Sequence, residues 1–278
     1  MVRDNQTEKS DNSRFETSGS RRDFLVKSGA ALAATTVGFT GTGAASGEDS
    51  SYTIRTGTEE ETDVYVTESG EPGPTAVVVG GIHGNEESGY RAADDVATWS
   101  VDRGTLVVIP RANPVAIERG TYSNDNGNLN RKFTPGKEPR TALARAIWSA
   151  IDRHNPKTVL NLHSSKGLYR ESDGPDGDGQ AIYPTLSEGA DVDATMTAKY
   201  MNEHHLDDSF PEYYEFKRGN LIDGDHPLLI HKVFADMYIP GYIVETTRYG
   251  TDLDTRVNWT LNMVRHLLRR NGMDRTYE

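Results

Sequence analysis

Gly80-Gly81-Ile82-His83-Gly84-Asn85-Glu86 sets an imidazole and a carboxylate three positions apart among glycines. The segment follows the apolar run 76–79 and precedes an amphipathic stretch, so it reads as the turn where a strand hands over to a helix. Glycine permits the positive-φ backbone that lets such a turn aim both side chains at one ion. A second apolar run closes on Asn161-Leu162-His163-Ser164-Ser165 and offers a third ligand. Two imidazoles and one carboxylate suit a catalytic zinc ion, one per chain, with its fourth position open to water. A third run, Tyr242-Ile243-Val244, leads into Glu245, a carboxylate placed to serve as general base. His-x-x-Glu alone arises often in exposed loops. The order His-x-x-Glu, then His, then Glu, each at a strand end, is far more specific.

These residues need a scaffold that brings strand ends together. Runs 75–79, 105–110, 158–162 and 241–245 are continuous and apolar, as buried central strands are. Segments 51–55 and 63–67 alternate apolar and polar side chains, which predicts half-buried antiparallel strands. Helical periodicity fills 87–99, 140–154, 186–203 and 227–237, and a closing helix over 254–270 carries Val257, Leu261, Val264 and Leu268 on one face. Alternating elements of this kind predict an α/β fold: a doubly wound, mostly parallel mixed sheet with helices on both faces, in a single domain over 47–278. In such sheets ligands collect beyond the carboxyl ends of the strands, where His83, Glu86, His163 and Glu245 all fall.

The stretch 112–138 has no clear periodicity and reads as a long functional loop. It contains Asn128-Leu129-Asn130-Arg131. Arginine offers a planar fork of donors to a carboxylate and asparagine can orient it, although on these residues alone Arg131 reads equally as a surface charge paired with an acid. The acidic glycine-rich segment 173–179 reads as a solvated loop, since its spacing departs from the standard calcium loop. His204, His205, His226 and His231 read as local polar groups. Arg248 follows the same strand end as Glu245 and stands open between a substrate contact and a structural ion pair.

Taken together, Gly-x-His-Gly-Asn-Glu at 81–86, Leu-Asn-Arg-x-Phe at 129–133, Leu-His-Ser at 162–164 and Val-Glu-Thr at 244–246 resemble the zinc carboxypeptidase superfamily, in its succinylglutamate desuccinylase/aspartoacylase branch. The resemblance implies His83, Glu86 and His163 as zinc ligands and Glu245 as the base that activates water and passes its proton on. It implies Asn130 and Arg131 as the holders of a substrate carboxylate, and Arg119 as the candidate for an arginine that polarises the scissile carbonyl. The chain departs from the family pattern in several places. Gly120-Thr121-Tyr122 stands where Gly-Thr-Arg is frequent, Asn161 stands where Asp is usual, and Phe133-Thr134-Pro135-Gly136 is one residue longer than Phe-Pro-Gly. Only 33 residues follow Glu245, too few for the extra C-terminal β-domain that many deacylases of the branch carry.

Composition narrows the partners. The formal charge is −12, and after residue 46 there are 24 basic against 37 acidic side chains, with only seven lysines. That bias resembles halophilic proteins, and an acidic surface repels nucleic acid. No cysteine is present, which excludes disulfides, thiolate ligands and a cysteine nucleophile. Ser20-Arg21-Arg22-Asp23-Phe24-Leu25-Val26-Lys27, followed by uncharged small residues up to Ala45, looks like a twin-arginine export signal over 1–46. It is too rich in Gly, Ser, Thr and Ala for a persuasive membrane span. The expectation is an exported zinc hydrolase, handed to the twin-arginine machinery, that acts on an amide bond of a carboxylate-bearing small molecule or peptide. A deacylase, a metallocarboxypeptidase trimming peptides, and an inactive zinc-bearing peptide- or wall-binding protein are the three readings it allows.

Overall fold

Four apolar runs become the centre of the sheet. The computed structural model describes residues 49–170 and 174–277. The proposed export signal at 1–46 lies outside the described residues, as does Asp173. Among the described residues, strands β1 (Asp49–Ile54), β2 (Thr62–Glu68), β3 (Thr75–Gly80), β5 (Thr105–Ile109), β6 (Thr158–Ser165), β7 (Ala181–Pro184), β8 (Lys217–Arg218) and β9 (Gly241–Thr247) form an eight-stranded sheet in the order β1-β2-β5-β3-β6-β9-β7-β8. Strands β5, β3, β6 and β9 run parallel. Their side chains are buried on both faces, which is why they read as unbroken apolar runs. The alternating segments form the antiparallel pair β1–β2, and β2 in turn lies antiparallel to β5. A separate two-stranded ribbon joins β4 (Ser100–Val101) to β10 (Arg275–Thr276).

Helices cover both faces, as the pattern predicts. One face carries α1 (Glu87–Val96), α4 (Ala190–His204) and α6 (Leu253–Arg270), whose Ala92, Val96, Ala194, Met201, Trp259 and Leu267 pack on Val78, Leu160 and Val244. The other carries α3 (Ala142–Arg153) and α5 (Leu229–Met237), with Leu143, Ile147, Ile230 and Val233 against Val77, Val107 and Val159. Local chemistry sets the helix starts. Thr141 and Asp252 cap α3 and α6 by accepting from the N–H groups of Ala144 and Thr255. Asn113 and Pro114 open the short α2 (Pro114–Glu118) in the loop expected to lack structure.

Two differences from the sequence reading stand out. Strand β7 escapes it: Ala181-Ile182-Tyr183-Pro184 is short, contains proline, and pairs antiparallel with β9 instead of extending the parallel set. The 173–179 segment is not merely a solvated loop. Leu168 bridges to Asp176 and Gly179, and Gly179 lies against Gly167 and Thr247, which ties the described part of the segment to the sheet edge.

Candidate active site

Strand β3 leads by α1 to β5 on one side and neighbours β6 on the other, so the sheet reverses its winding order at the β3/β6 boundary. Such a crevice at the carboxyl edge collects ligands. Gly81 has φ +72°, and a Cβ on Gly84 would lie 2.0 Å from the Ala116 carbonyl carbon and oxygen. Only glycine admits α2 this close to the turn. The turn delivers His83 and Glu86 toward β6, which brings His163.

His83 Nδ1 lies 2.8 Å from Glu86 Oε1, and His163 Nδ1 lies 2.8 Å from Glu86 Oε2. The Ser164 backbone N–H donates to that second oxygen at 3.2 Å. All three side chains are buried, and their ligand atoms lie within 4.8 Å of one another, a group that can hold a metal ion. On the far side of its ring, His83 Nε2 lies 3.1 Å from Asn128 Oδ1, an acceptor that suits a proton on Nε2 when Nδ1 faces a cation. Tyr122 stacks on the same ring with centroids 3.8 Å apart. Burial alone would raise the Glu86 carboxyl, but the two imidazoles, His163 foremost, hold it down at about 2. Burial pulls the His83 imidazole below its ordinary value, and the neighbouring His163 ring works in the same direction. A carboxylate ionised at all working pH values and a neutral imidazole are the protonation states that a divalent ion needs from its ligands.

Glu245 sits beside His163 in the β6–β9 ladder, in direct register. Both lie two residues inside the strand ends and not at them. The Glu245 residue keeps a partial opening, yet its Oε2 is sealed and lacks a hydrogen-bond partner. Burial, then the negative charges of Glu86 and Asp178, push its carboxyl well above the usual carboxylate range, and Arg248 opposes them. A carboxylate so placed has a raised affinity for a proton, so it can take one from a reacting group and give it back.

These groups line one cavity of about 660 Å³, within the range of small-ligand sites. Asn130 and Arg131 lie on its wall in a single 3₁₀ turn, Leu129–Arg131. Asn130 Oδ1 accepts from the Leu229 N–H at the start of α5, which leaves its Nδ2 as the free donor. Arg131 donates to the Asn130 carbonyl and forms no ion pair with another described residue. Arg248 also lines the cavity, and its guanidinium donates to the backbone carbonyls of Asn85 and Ser165 rather than to an acid.

Arg119 is not brought to this site. It ends α2 on the surface and pairs with Asp125 at 2.7 Å, outside the cavity lining. Other residues arrive that the sequence did not single out. His226 and His231, read as local polar groups, line the cavity with Asp178, Tyr183, Asp223 and Tyr122. The 173–179 segment thus supplies Asp178, and Tyr183 holds it in place by donating to its carbonyl at 3.0 Å. Tyr122 could have been found from its position in the departing Gly-Thr-Tyr triplet; the histidines carried no local signal. Asn161, two residues before His163 on the same face of β6, is fully buried with neither amide atom partnered.

Known proteins share both motifs and fold. Residues 72–166 match the family described as Succinylglutamate desuccinylase/Aspartoacylase catalytic domain. An N-alpha-acetyl-L-2,4-diaminobutyric acid deacetylase from Halomonas elongata is 36% identical over 115 residues, which cover 36% of this chain and 31% of that one. The cell shape determinant protein Csd4 from Helicobacter pylori superposes with a TM-score of 0.60 at 22% identity, over 84% of this chain and 57% of that chain. A succinylglutamate desuccinylase from a Silicibacter species gives 0.55 at 16% identity, over 78% and 62%. The two structural likenesses show the fold alone, and the chain spans under two thirds of each of these relatives. The resemblance to the zinc carboxypeptidase superfamily, in its succinylglutamate desuccinylase/aspartoacylase branch, is borne out, and two of the relatives are named as a deacetylase and a desuccinylase.

Proposed function

We propose that this protein is a zinc-dependent hydrolase that cleaves an amide bond of a carboxylate-bearing substrate, as an N-acyl amino acid deacylase. The observation that carries the reading is the register of β6 and β9, which sets Glu245 beside the His83, Glu86 and His163 group in a cavity that also contains Asn130 and Arg131. The donor set fits zinc: two imidazoles and an ionised carboxylate, with Asn128 Oδ1 placed to accept from the Nε2 side of His83. When bound there, zinc supplies Lewis-acid activation of water and of the scissile carbonyl. Glu245 accepts the proton from the attacking water and returns it to the leaving amine nitrogen. Arg131 and the Asn130 Nδ2–H₂ hold the carboxylate at a fixed distance from the reacting carbonyl, which reduces the entropic part of the barrier. Arg248 remains a candidate for a further substrate contact. No carbonyl-polarising part is given to Arg119, since its partner is Asp125.

A metallocarboxypeptidase is the second reading, because a related Csd4 structure is described as that of a D,L-carboxypeptidase and the terminal carboxylate of a peptide would suit Asn130 and Arg131 equally. An inactive binder has no use for a buried carboxyl such as Glu245. Hydrolysis of N-acyl amino acids beside short peptides, by zinc-loaded protein in high salt with Glu245→Gln as the blank, tests the proposal. Release of amino acid from the acylated set alone supports the deacylase. Trimming of peptides from the carboxyl end moves the reading to the peptidase, and silence on both sets with zinc bound refutes hydrolysis of this class. Export through residues 1–46 is part of the proposal, and Arg21→Lys with Arg22→Lys should retain the protein inside the cell.

A further inference from the structure

His231 is more than nine-tenths buried, lies on the cavity wall, and has no part in the chemistry proposed above. It stands in the first turn of α5, two residues after Leu229, whose N–H is held by Asn130. The Phe133 N–H donates to the Pro227 carbonyl at 3.1 Å, so the turn that carries Asn130 and Arg131 and the start of α5 are fastened together. His231 therefore keeps a fixed position relative to Asn130 and Arg131.

Its ring has a defined proton. Burial foremost, and then the His226 imidazole, bring its pKa down to about 4, against the opposing pull of Asp223 and Asp225. The ring is neutral at neutral pH. The His226 backbone N–H donates to Nδ1 at 3.3 Å, so the single ring proton resides on Nε2. Asp223 Oδ1 lies 3.4 Å from the same Nδ1 and would favour the charged ring, but burial outweighs it. Among the described residues no group accepts from Nε2. The positive charge of Arg131 is felt at this ring, and the N-terminal end of α5 adds its own partial positive charge.

We propose that His231 is a third donor to the substrate carboxylate, its Nε2–H acting beside the Asn130 amide and the Arg131 guanidinium. This inference rests on the carboxylate-anchor reading above and deepens it. Three donors of different shape would define the direction of the carboxylate and not only its charge, so His231 becomes a specificity-determining residue. An amide in place of the acid would present an N–H₂ to at least one of these donors, and the mismatch would weaken binding.

The test is binding to the full chain stripped of metal, where no turnover occurs. Calorimetric titration would compare a series of N-acetyl amino acids with their carboxamides, on the wild type and on Arg131→Met, His231→Phe and His231→Gln. Expected is a preference for acid over amide that Arg131→Met abolishes and His231→Phe narrows by about tenfold or more. His231→Gln, which keeps an N–H donor near the Nε2 position, should restore most of it. Near-ultraviolet circular dichroism checks that each variant is folded. If Arg131→Met loses the preference and His231→Phe keeps it, the anchor stands and the part given to His231 is overturned. The same holds if His231→Gln does no better than His231→Phe. If the wild type shows no preference for the acid, the anchor reading fails and takes this inference with it.

Discussion

Replacing Glu245 by Gln should stabilise the metal-free protein increasingly as pH rises. In the fold, burial and the Glu86 and Asp178 charges raise this carboxyl above its ordinary 4.5. The unfolded chain therefore releases the proton first. Native protein binds more protons than unfolded protein in that window, so the Glu245 contribution to stability falls with pH. It is flat below 4.5, falls by about 1.4 kcal/mol per pH unit above it, and levels off at the raised folded value. Gln removes that slope. Other groups titrate nearby and must be separated. Glu86, held at about 2, contributes stability that is full above 4.5 and lost only toward lower pH. His83, His154, His205, His231 and His266 have lowered values, so their effect is to cost stability as pH falls below 6.5 and to vanish above it. The difference between variant and wild type cancels these terms. For a domain of this size the gap in melting temperature should open by roughly 3–6 °C per pH unit. Thermal denaturation in chelator between pH 5 and 8 measures it. A gap that stays constant over this range would refute a raised Glu245 and, with it, the assignment of this carboxyl as the proton carrier.

His163→Ala should lose bound zinc along with activity, read by metal analysis after dialysis; full occupancy would overturn the ligand set. Gly84→Ala forces a Cβ to within 2.0 Å of the Ala116 carbonyl, so α2 or the ligand turn must shift. The cost is about 1–3 kcal/mol or more, and zinc affinity should fall even where the protein still folds. Lys232 is buried, with its Nζ on the Thr134 and Lys137 carbonyls and, at 2.5 Å, on Asp236. Lys232→Met removes the cation from Asp236, which keeps only the Gly136 N–H, and should cost about 3 kcal/mol, a melting shift of roughly 6–12 °C. Because the loop it ties follows Arg131, substrate KM should rise more than kcat falls.

The sheet centre was legible because β3, β5, β6 and β9 are buried on both faces and say so residue by residue. The group of His83, Glu86 and His163 was legible for a related reason: His83 and Glu86 share a turn whose glycines advertise it, and His163 closes a visible run. Arg119, the candidate that the resemblance implied for polarising the carbonyl, is instead turned by the end of α2 to Asp125 on the surface. His231 and Asp178 were not legible at all. They enter the cavity from segments that only the packing of α5 on the 129–133 turn, and of the 174–179 loop on the edge of β9, brings within reach. Binary pattern and local spacing carry no record of such long-range placements.

The direct pairing of His163 with Glu245 has a consequence for how this scaffold can vary. Their separation is set by the spacing between neighbouring strands of a parallel ladder, a constant of backbone hydrogen bonding and not of any side chain. Everything the chain does between Ser165 and Gly241 is an excursion that leaves this distance untouched. Loops, strands β7 and β8, and α4 can lengthen or be exchanged, and they reshape the cavity wall while His163 and Glu245 keep their registration. Such an arrangement separates the part that reacts from the part that selects, and a graft of another excursion between the same two strands would retarget the site without rebuilding it.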